Sequence, residues 1–222
     1  MSEAFDTFRL SDADTAPRLL QTSRRFFDAT ESAFGFLGYE TAAENVRRYR
    51  SGRGGLEEYS DAEIARHPAL LRAEDENRTH FEARTFTGRT RNDELNAELL
   101  GLRDGGSYSF FDKWDFSVPI SGPSTYLAFG RTSVTSNGAF SAHRNGDVVT
   151  IRGYVGHGFG PREKFDFNAD QPGSRPAAVL EGSGEAAPFH MAYDRIQDVE
   201  AELRYEPAGS LTLRRATWGA VR

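Results

Sequence analysis

The spacing of apolar residues changes once along this chain, near residue 105. Before that point apolar side chains recur every three or four residues, the spacing that gathers them on one stripe of a helix. Leu19, Leu20, Phe26, Phe27 and Phe34 form such a stripe, with N-cap candidates in Ser11 to Asp14 and Pro17 suited to a first turn. A second helix is predicted from Glu40 to Arg50, ended by Gly52, Gly54 and Gly55. Ser60-Asp61-Ala62-Glu63 has the form of a capping box, in which the serine serves the amide of the third residue and the glutamate reaches back. It opens a short helix that stops before Pro68. A longer helix fits Pro68 to Phe86, with Leu70, Leu71 and Phe81 apolar, and Asn92 caps a last one through Leu100. His67 is read as a cap at a helix junction, and His80 as a solvated helix residue.

Beyond residue 105 the period is two, the mark of strands. Strands are predicted at 107–120, 125–134, 138–144, 147–157, 198–205 and 210–218, with one more short strand at 177–181 inside a loop rich in Gly, Pro and Ser. Asn145-Gly146 is a preferred two-residue hairpin turn. Centred there, it sets Phe140 opposite Ile151. One face then carries Phe140, Ala142, Val149, Ile151 and Val155, and unbroken alternation adds His157 to that core face. Ser141, His143, Thr150, Arg152 and Tyr154 face outward. The reading is an α+β protein. A helical region, 1–104, precedes an antiparallel curved sheet or half-open β-barrel, 105–222, that carries the candidate site.

Composition alters this picture at a few points. Hydrophobic residues make up 38% and charged residues 27%, ordinary for a globular chain, so a sizeable core is affordable over 222 residues. The 17 phenylalanines against 2 methionines point to a core dominated by aromatic rings. With no cysteine, disulfides and thiolate chemistry are excluded. A net charge of −6 argues against general nucleic-acid affinity, which needs a basic face. The acidic N-terminus has no apolar core of a signal peptide, and no run reaches the roughly 18 apolar residues of a membrane span. The expected route is synthesis in the cytoplasm, with any export left to a specialised secretion system.

Candidate chemistry concentrates in residues 153–173, at the end of a strand. His157, Arg162, Glu163, Asp166, Asn168 and Asp170 lie there among glycines and prolines. Rims of sheets are where rigid scaffolds hold functional loops. Asp166, Asn168 and Asp170 have the alternating oxygen spacing of a cation-binding loop, without the glycine and glutamate that complete an EF-hand. A single looser Mg²⁺ or Ca²⁺ site fits them; a polar turn with Asx hydrogen bonds fits them as well. His190 is a further histidine that would reach the site only through the fold. There is no nucleophile elbow, no zinc-protease helix and no phosphate-binding glycine loop.

The segment around "EKFDFNAD" resembles the catalytic segment of colicin M-like bacterial toxins, whose motif is Asp-x-Tyr-Asp followed, after five residues, by His-Arg. Glu163 takes the first acidic place, Phe165 the aromatic place and Asp166 the second aspartate. Pro172-Gly173 stands at the His-Arg place, with Arg175 or His190 as the nearest substitutes. The resemblance implies helices followed by a half-open barrel, and metal-assisted cleavage of the pyrophosphate of the lipid-linked peptidoglycan precursor. It implies an antagonistic toxin or effector with a lipid-linked or small-molecule substrate and an immunity partner. In that reading Asp166 and Glu163 hold Mg²⁺ or Ca²⁺, His157 is general base or ligand, and Arg162 offsets phosphate charge. The residues themselves leave a second reading open: a non-enzymatic β-barrel module that binds a ligand or partner protein.

Overall fold

The computed structural model describes residues 15–86, 93–160, 163–167 and 173–222, without the side chains of 15 and 112–115. The proposed caps at Ser11 to Asp14 and at Asn92 lie outside these residues. The fold is α+β, with helices first and an antiparallel sheet that does not close second. Helices α1 (Thr15–Phe36) and α2 (Glu40–Arg50) lead into strand β1 (Leu56–Glu58), then α3 (Asp61–Ile64) and α4 (Pro68–Phe81). A π-helical turn, Glu82–Phe86, extends α4, and α5 (Asp93–Gly101) follows. Then come β2 (Ser107–Pro119), α6 (Pro123–Phe129), β3 (Ser133–Asn145), β4 (Val148–Phe159), β5 (Lys164–Phe165), α7 (Ser174–Gly182), β6 (Phe189–Ala192), β7 (Asp194–Glu206) and β8 (Ser210–Val221). No helix among the described residues is long and apolar enough to cross a membrane.

The chain gathers into two compact units, each drawing on several segments. The first comprises residues 1–57, 126–130 and 162–191. Its small sheet has the order β1-β6-β5. Its core is aromatic: Phe27 meets Phe167 edge-on at 5.0 Å, Tyr49 lies 5.1 Å from Phe167, and Phe165 stacks on Phe189 at 5.2 Å. Helix α7 contributes Ala177 and Leu180, three residues apart and both buried.

The second unit comprises residues 58–125, 131–161 and 192–222. Its five-stranded antiparallel sheet has the order β2-β3-β4-β7-β8. Phe110, Phe140, Ala142, Val149, Ile151, Val155, Val199, Ala201 and Leu203 are buried together with Phe81, Phe86, Leu95 and Leu99 of the helical segments. The Ser60 capping box forms as predicted, with both reciprocal hydrogen bonds. Phe140 shapes the sheet. A Cβ at Gly153 would run into the Ala139 carbonyl oxygen and sit 2.9 Å from the Phe140 Cα, and a Cβ at Gly138 would strike the Phe140 ring. Two glycines thus make room for one phenylalanine, which meets Phe81, Phe86 and Phe110 at 5.9, 5.8 and 5.1 Å.

Several expectations change. The hairpin tip is Gly146-Asp147, one residue later than predicted, so Arg144 faces Val149 and Phe140 faces Gly153. Gly146 takes the first turn position at φ 62, where a side chain would be strained, and this draws the turn past Asn145. The register moves by two residues, an even number, so the predicted faces stand: Phe140, Ala142, Val149, Ile151, Val155 and His157 are all buried. Residues 125–129, predicted as strand, belong to α6, where Pro123 occupies the first helical position. Residues 177–181 are helical in α7, which begins after Gly173 at φ 99 and holds Pro176 in its first turn. His67 sits at the N-cap of α4 without a side-chain capping bond. His80 is exposed, as expected, and stacks on Phe116 at 5.4 Å.

Candidate functional site: a buried polar row

Glu163 and Asp166 belong to the first unit and His157 to the second. Arg162, Asn168 and Asp170 lie outside the described residues. Glu163 accepts the Met191 amide through its backbone carbonyl at 3.1 Å. Asp166 lies close enough to the buried Tyr49 hydroxyl to disfavour its ionisation, although burial is the main reason that hydroxyl stays protonated, and Tyr49 donates to Glu181. His190, on β6, is exposed and pairs with Lys164. The divalent ion implied by the resemblance finds no group of three or more His, Asp or Glu side chains among the described residues. Of the expected ligands Asp166, Asn168 and Asp170, only Asp166 is among those residues.

His157 lies where its alternation put it, but in different company. Phe116, Ser136, His157 and Arg195 are partners in register across β2, β3, β4 and β7. Cross-strand partners share a face, so this row points at α4. The neighbouring row sets Gly138, Val155 and Gln197 side by side. Toward the hairpin the same sheet face is apolar through Phe140, Ala142, Ile151 and Val149 until Arg144 at its end; here it turns polar.

Helix α4 answers with polar groups. Leu70, Ala73, Glu74, Asn77 and Phe81 fall at helical spacing and are buried, so Glu74 and Asn77 occupy positions in the core stripe. Asn77 Nδ2 donates to Ser136 Oγ at 2.8 Å and to the Val134 carbonyl at 3.0 Å. Ser136 Oγ lies 2.7 Å from His157 Nδ1. Having accepted from Asn77, the serine hydroxyl satisfies most groups by donating to Nδ1, which leaves the imidazole proton on Nε2. Arg78 donates to Gln197 Oε1 at 3.1 Å, and Gln197 Nε2 donates to the Gly219 carbonyl at 2.6 Å. Arg195 Nε lies 3.6 Å from Glu74 and 3.8 Å from Asp61, too far to hydrogen-bond either.

The electrostatics push two titratable groups in opposite directions. Burial, then the Arg78 and Arg195 guanidiniums, hold the His157 imidazole down at about 4, so it is neutral near pH 7. Burial pushes the Glu74 carboxyl up, against the pull of Arg195 and Arg78. Tyr193 is held protonated, chiefly by burial and then by the nearby Glu74 charge. Tyr193 lies within reach of Glu74, and Gln197 within reach of His157, but neither pair has the geometry of a well-formed hydrogen bond; Asn77 Oδ1 and Arg195 Nε are likewise buried without one among the described residues. Buried polar groups short of well-formed hydrogen bonds are uncommon in folded proteins, which sets this cluster apart from the apolar core around it. Arg78 and Arg195, with side chains 28% and 12% exposed, connect the row to the surface; His157 is 1% exposed and Glu74 3%.

Of the row, the strand pattern identifies only His157. Glu74, Asn77, Arg78, Ser136, Tyr193, Arg195 and Gln197 were missed, although polar residues at core positions of a helical stripe or strand are a readable signal. No protein-family model, curated protein or solved structure matches the chain.

Proposed function

We propose that this chain is a hydrolase of phosphoester or pyrophosphate bonds, acting as a bacterial antagonistic effector, with its acid–base chemistry in the buried polar row. The observation that carries the reading is that a carboxyl raised by burial and an imidazole held neutral are both under the charge of the same two guanidinium groups, Arg78 and Arg195. Groups perturbed in opposite directions within one cluster are the usual signature of assigned acid and base roles. The α+β build, helices before an open antiparallel sheet, is also the build expected from the likeness to colicin M-like toxins.

In this reading Glu74 carries the proton. Its proton affinity is raised by burial, the direction that suits a general acid or base. Arg195 is held only loosely by Glu74 and Asp61, so its guanidinium is available to an anionic phosphoryl oxygen, with Arg78 beside it. His157, anchored at Nδ1 by Ser136, offers its Nε2 proton as a hydrogen-bond donor, and Tyr193 offers a neutral hydroxyl. The general-base role expected for His157 thus passes to Glu74.

The test is hydrolysis of inorganic pyrophosphate and of bis(4-nitrophenyl) phosphate by purified protein, wild type against Glu74→Gln, with circular dichroism of both. Loss of general acid–base catalysis should cost on the order of 10²- to 10⁴-fold in kcat. Running each assay with and without Mg²⁺, Ca²⁺ and EDTA separates a metal-assisted reaction from one carried by the row alone. Absence of hydrolysis by wild type under every condition, or undiminished turnover by folded Glu74→Gln, moves the assignment to a non-enzymatic binding module.

A further inference from the structure

The row is closed, and its closure depends on a hydrogen-bond chain with one direction. We propose that the Glu74–Arg78 segment of α4 is an acid-released cover, which lifts from the sheet when the His157 imidazole gains a proton and so opens the row to solvent. This deepens the acid–base reading by adding control of access to the same site.

The contacts of this segment explain why. Farther along α4, Phe81 is clamped by rings, 4.7 Å from Phe116 and 5.9 Å from Phe140. Through Glu74, Asn77 and Arg78 the cover meets the sheet by polar contacts: Asn77 to Ser136, Arg78 to Gln197 and Glu74 toward Arg195. Protonation reverses the bond between Ser136 and His157 and sets a new charge beside Arg78 and Arg195. An imidazolium has no acceptor nitrogen, so Nδ1 must donate to Ser136 Oγ, which already accepts from Asn77; the serine proton then loses its acceptor. The new charge also becomes a third cation in one buried place.

The groups around His157 offer little to offset it. Helix α4 presents Arg78, whose guanidinium also donates to the exposed Asp75, together with the buried Glu74. Strand β7 presents Arg195 and the uncharged Gln197, and Tyr193 precedes it. Strand β3 gives the uncharged Ser136, β2 gives Phe116, and Asp61 at the start of α3 faces Arg195. The buried carboxyl beside the same guanidiniums, Glu74, is one whose own charge is disfavoured. An imidazole held down at about 4 when closed, against an ordinary 6.5, shifts the balance toward opening as acid is added.

Hydrogen exchange of the full chain, read by mass spectrometry at about pH 7.5 and pH 5 and corrected for intrinsic exchange, tests the cover. Peptides spanning 68–81 should lose protection at the lower pH by roughly tenfold to thirtyfold, while peptides of β8 keep theirs. His157→Gln, which cannot titrate, should abolish the difference. Arg78→Gln, which removes one of the repelling cations, should shrink it, and this second variant keeps the test decisive if His157→Gln does not fold. Unchanged protection of 68–81 between the two conditions, or a full pH effect persisting in either folded variant, overturns the cover. Pyrophosphate hydrolysis with no pH-dependent exchange removes the cover and leaves the catalytic reading; pH-dependent exchange with no hydrolysis does the reverse.

Discussion

Replacing Asn77 by alanine tests whether the polar row is a working part of the fold. Asn77 is fully buried, and its amide makes two hydrogen bonds, to Ser136 and to the Val134 carbonyl. Each such bond contributes about 1 kcal/mol net, and leaving buried partners short of a donor costs about 1–3 kcal/mol more. Asn77→Ala should therefore destabilise the second unit by about 3–5 kcal/mol. Urea unfolding followed by far-UV circular dichroism reads this as a fall of about 1 M in midpoint, with the slope unchanged. The double variant with Ser136→Ala should be less damaging than the sum of the two single changes, by about 0.5–3 kcal/mol, because both single changes break the same bond. A midpoint for Asn77→Ala within about 0.2 M of wild type, or strict additivity with Ser136→Ala, would refute the reasoning.

Three further outcomes follow from other parts of the molecule. Gly153→Ala forces a methyl group against the Ala139 carbonyl and the Phe140 backbone and should cost about 1–3 kcal/mol or more in urea unfolding. Ser60→Ala removes the capping box of α3 and should cost about 1 kcal/mol, read in the same assay. Stability should fall with acid between about pH 6.5 and pH 4, because the folded state disfavours the proton that unfolded His157 would take up. The full contribution is about 3 kcal/mol, present above pH 6.5 and lost as pH drops through the folded value. Glu74, with its pKa raised, acts oppositely, losing stability as pH rises through its folded value, so the His157 contribution is read as the difference between wild type and His157→Gln urea midpoints across pH.

Much of the fold was legible because periodicity reports faces. The boundaries of α2 and the Ser60 cap followed from local chemistry alone. The buried face of the β3–β4 hairpin survived a misplaced turn, because a shift of two residues preserves the pleat. The failures have physical causes as well. Residues 125–129 and 177–181 are short apolar runs, in which helix and strand look alike; Pro123 and Pro176, seated in first helical turns, decided both for helix. His157 follows from counting alternation, but its neighbours come from three strands and a helix spread from Glu74 to Arg195, and no single segment contains them. Neighbours in sequence, such as Glu163 to Asp170, are easy to see together, whereas a row assembled across a sheet appears in the sequence only as isolated polar residues at core positions.

Expression in a bacterium, directed in turn to the cytoplasm and to the periplasm, tests the central claim most directly. The account predicts that wild type arrests growth in one compartment, and that Glu74→Gln, made to the same level and folded by circular dichroism, does not. No arrest in either compartment, or arrest by Glu74→Gln as strong as by wild type, would contradict it.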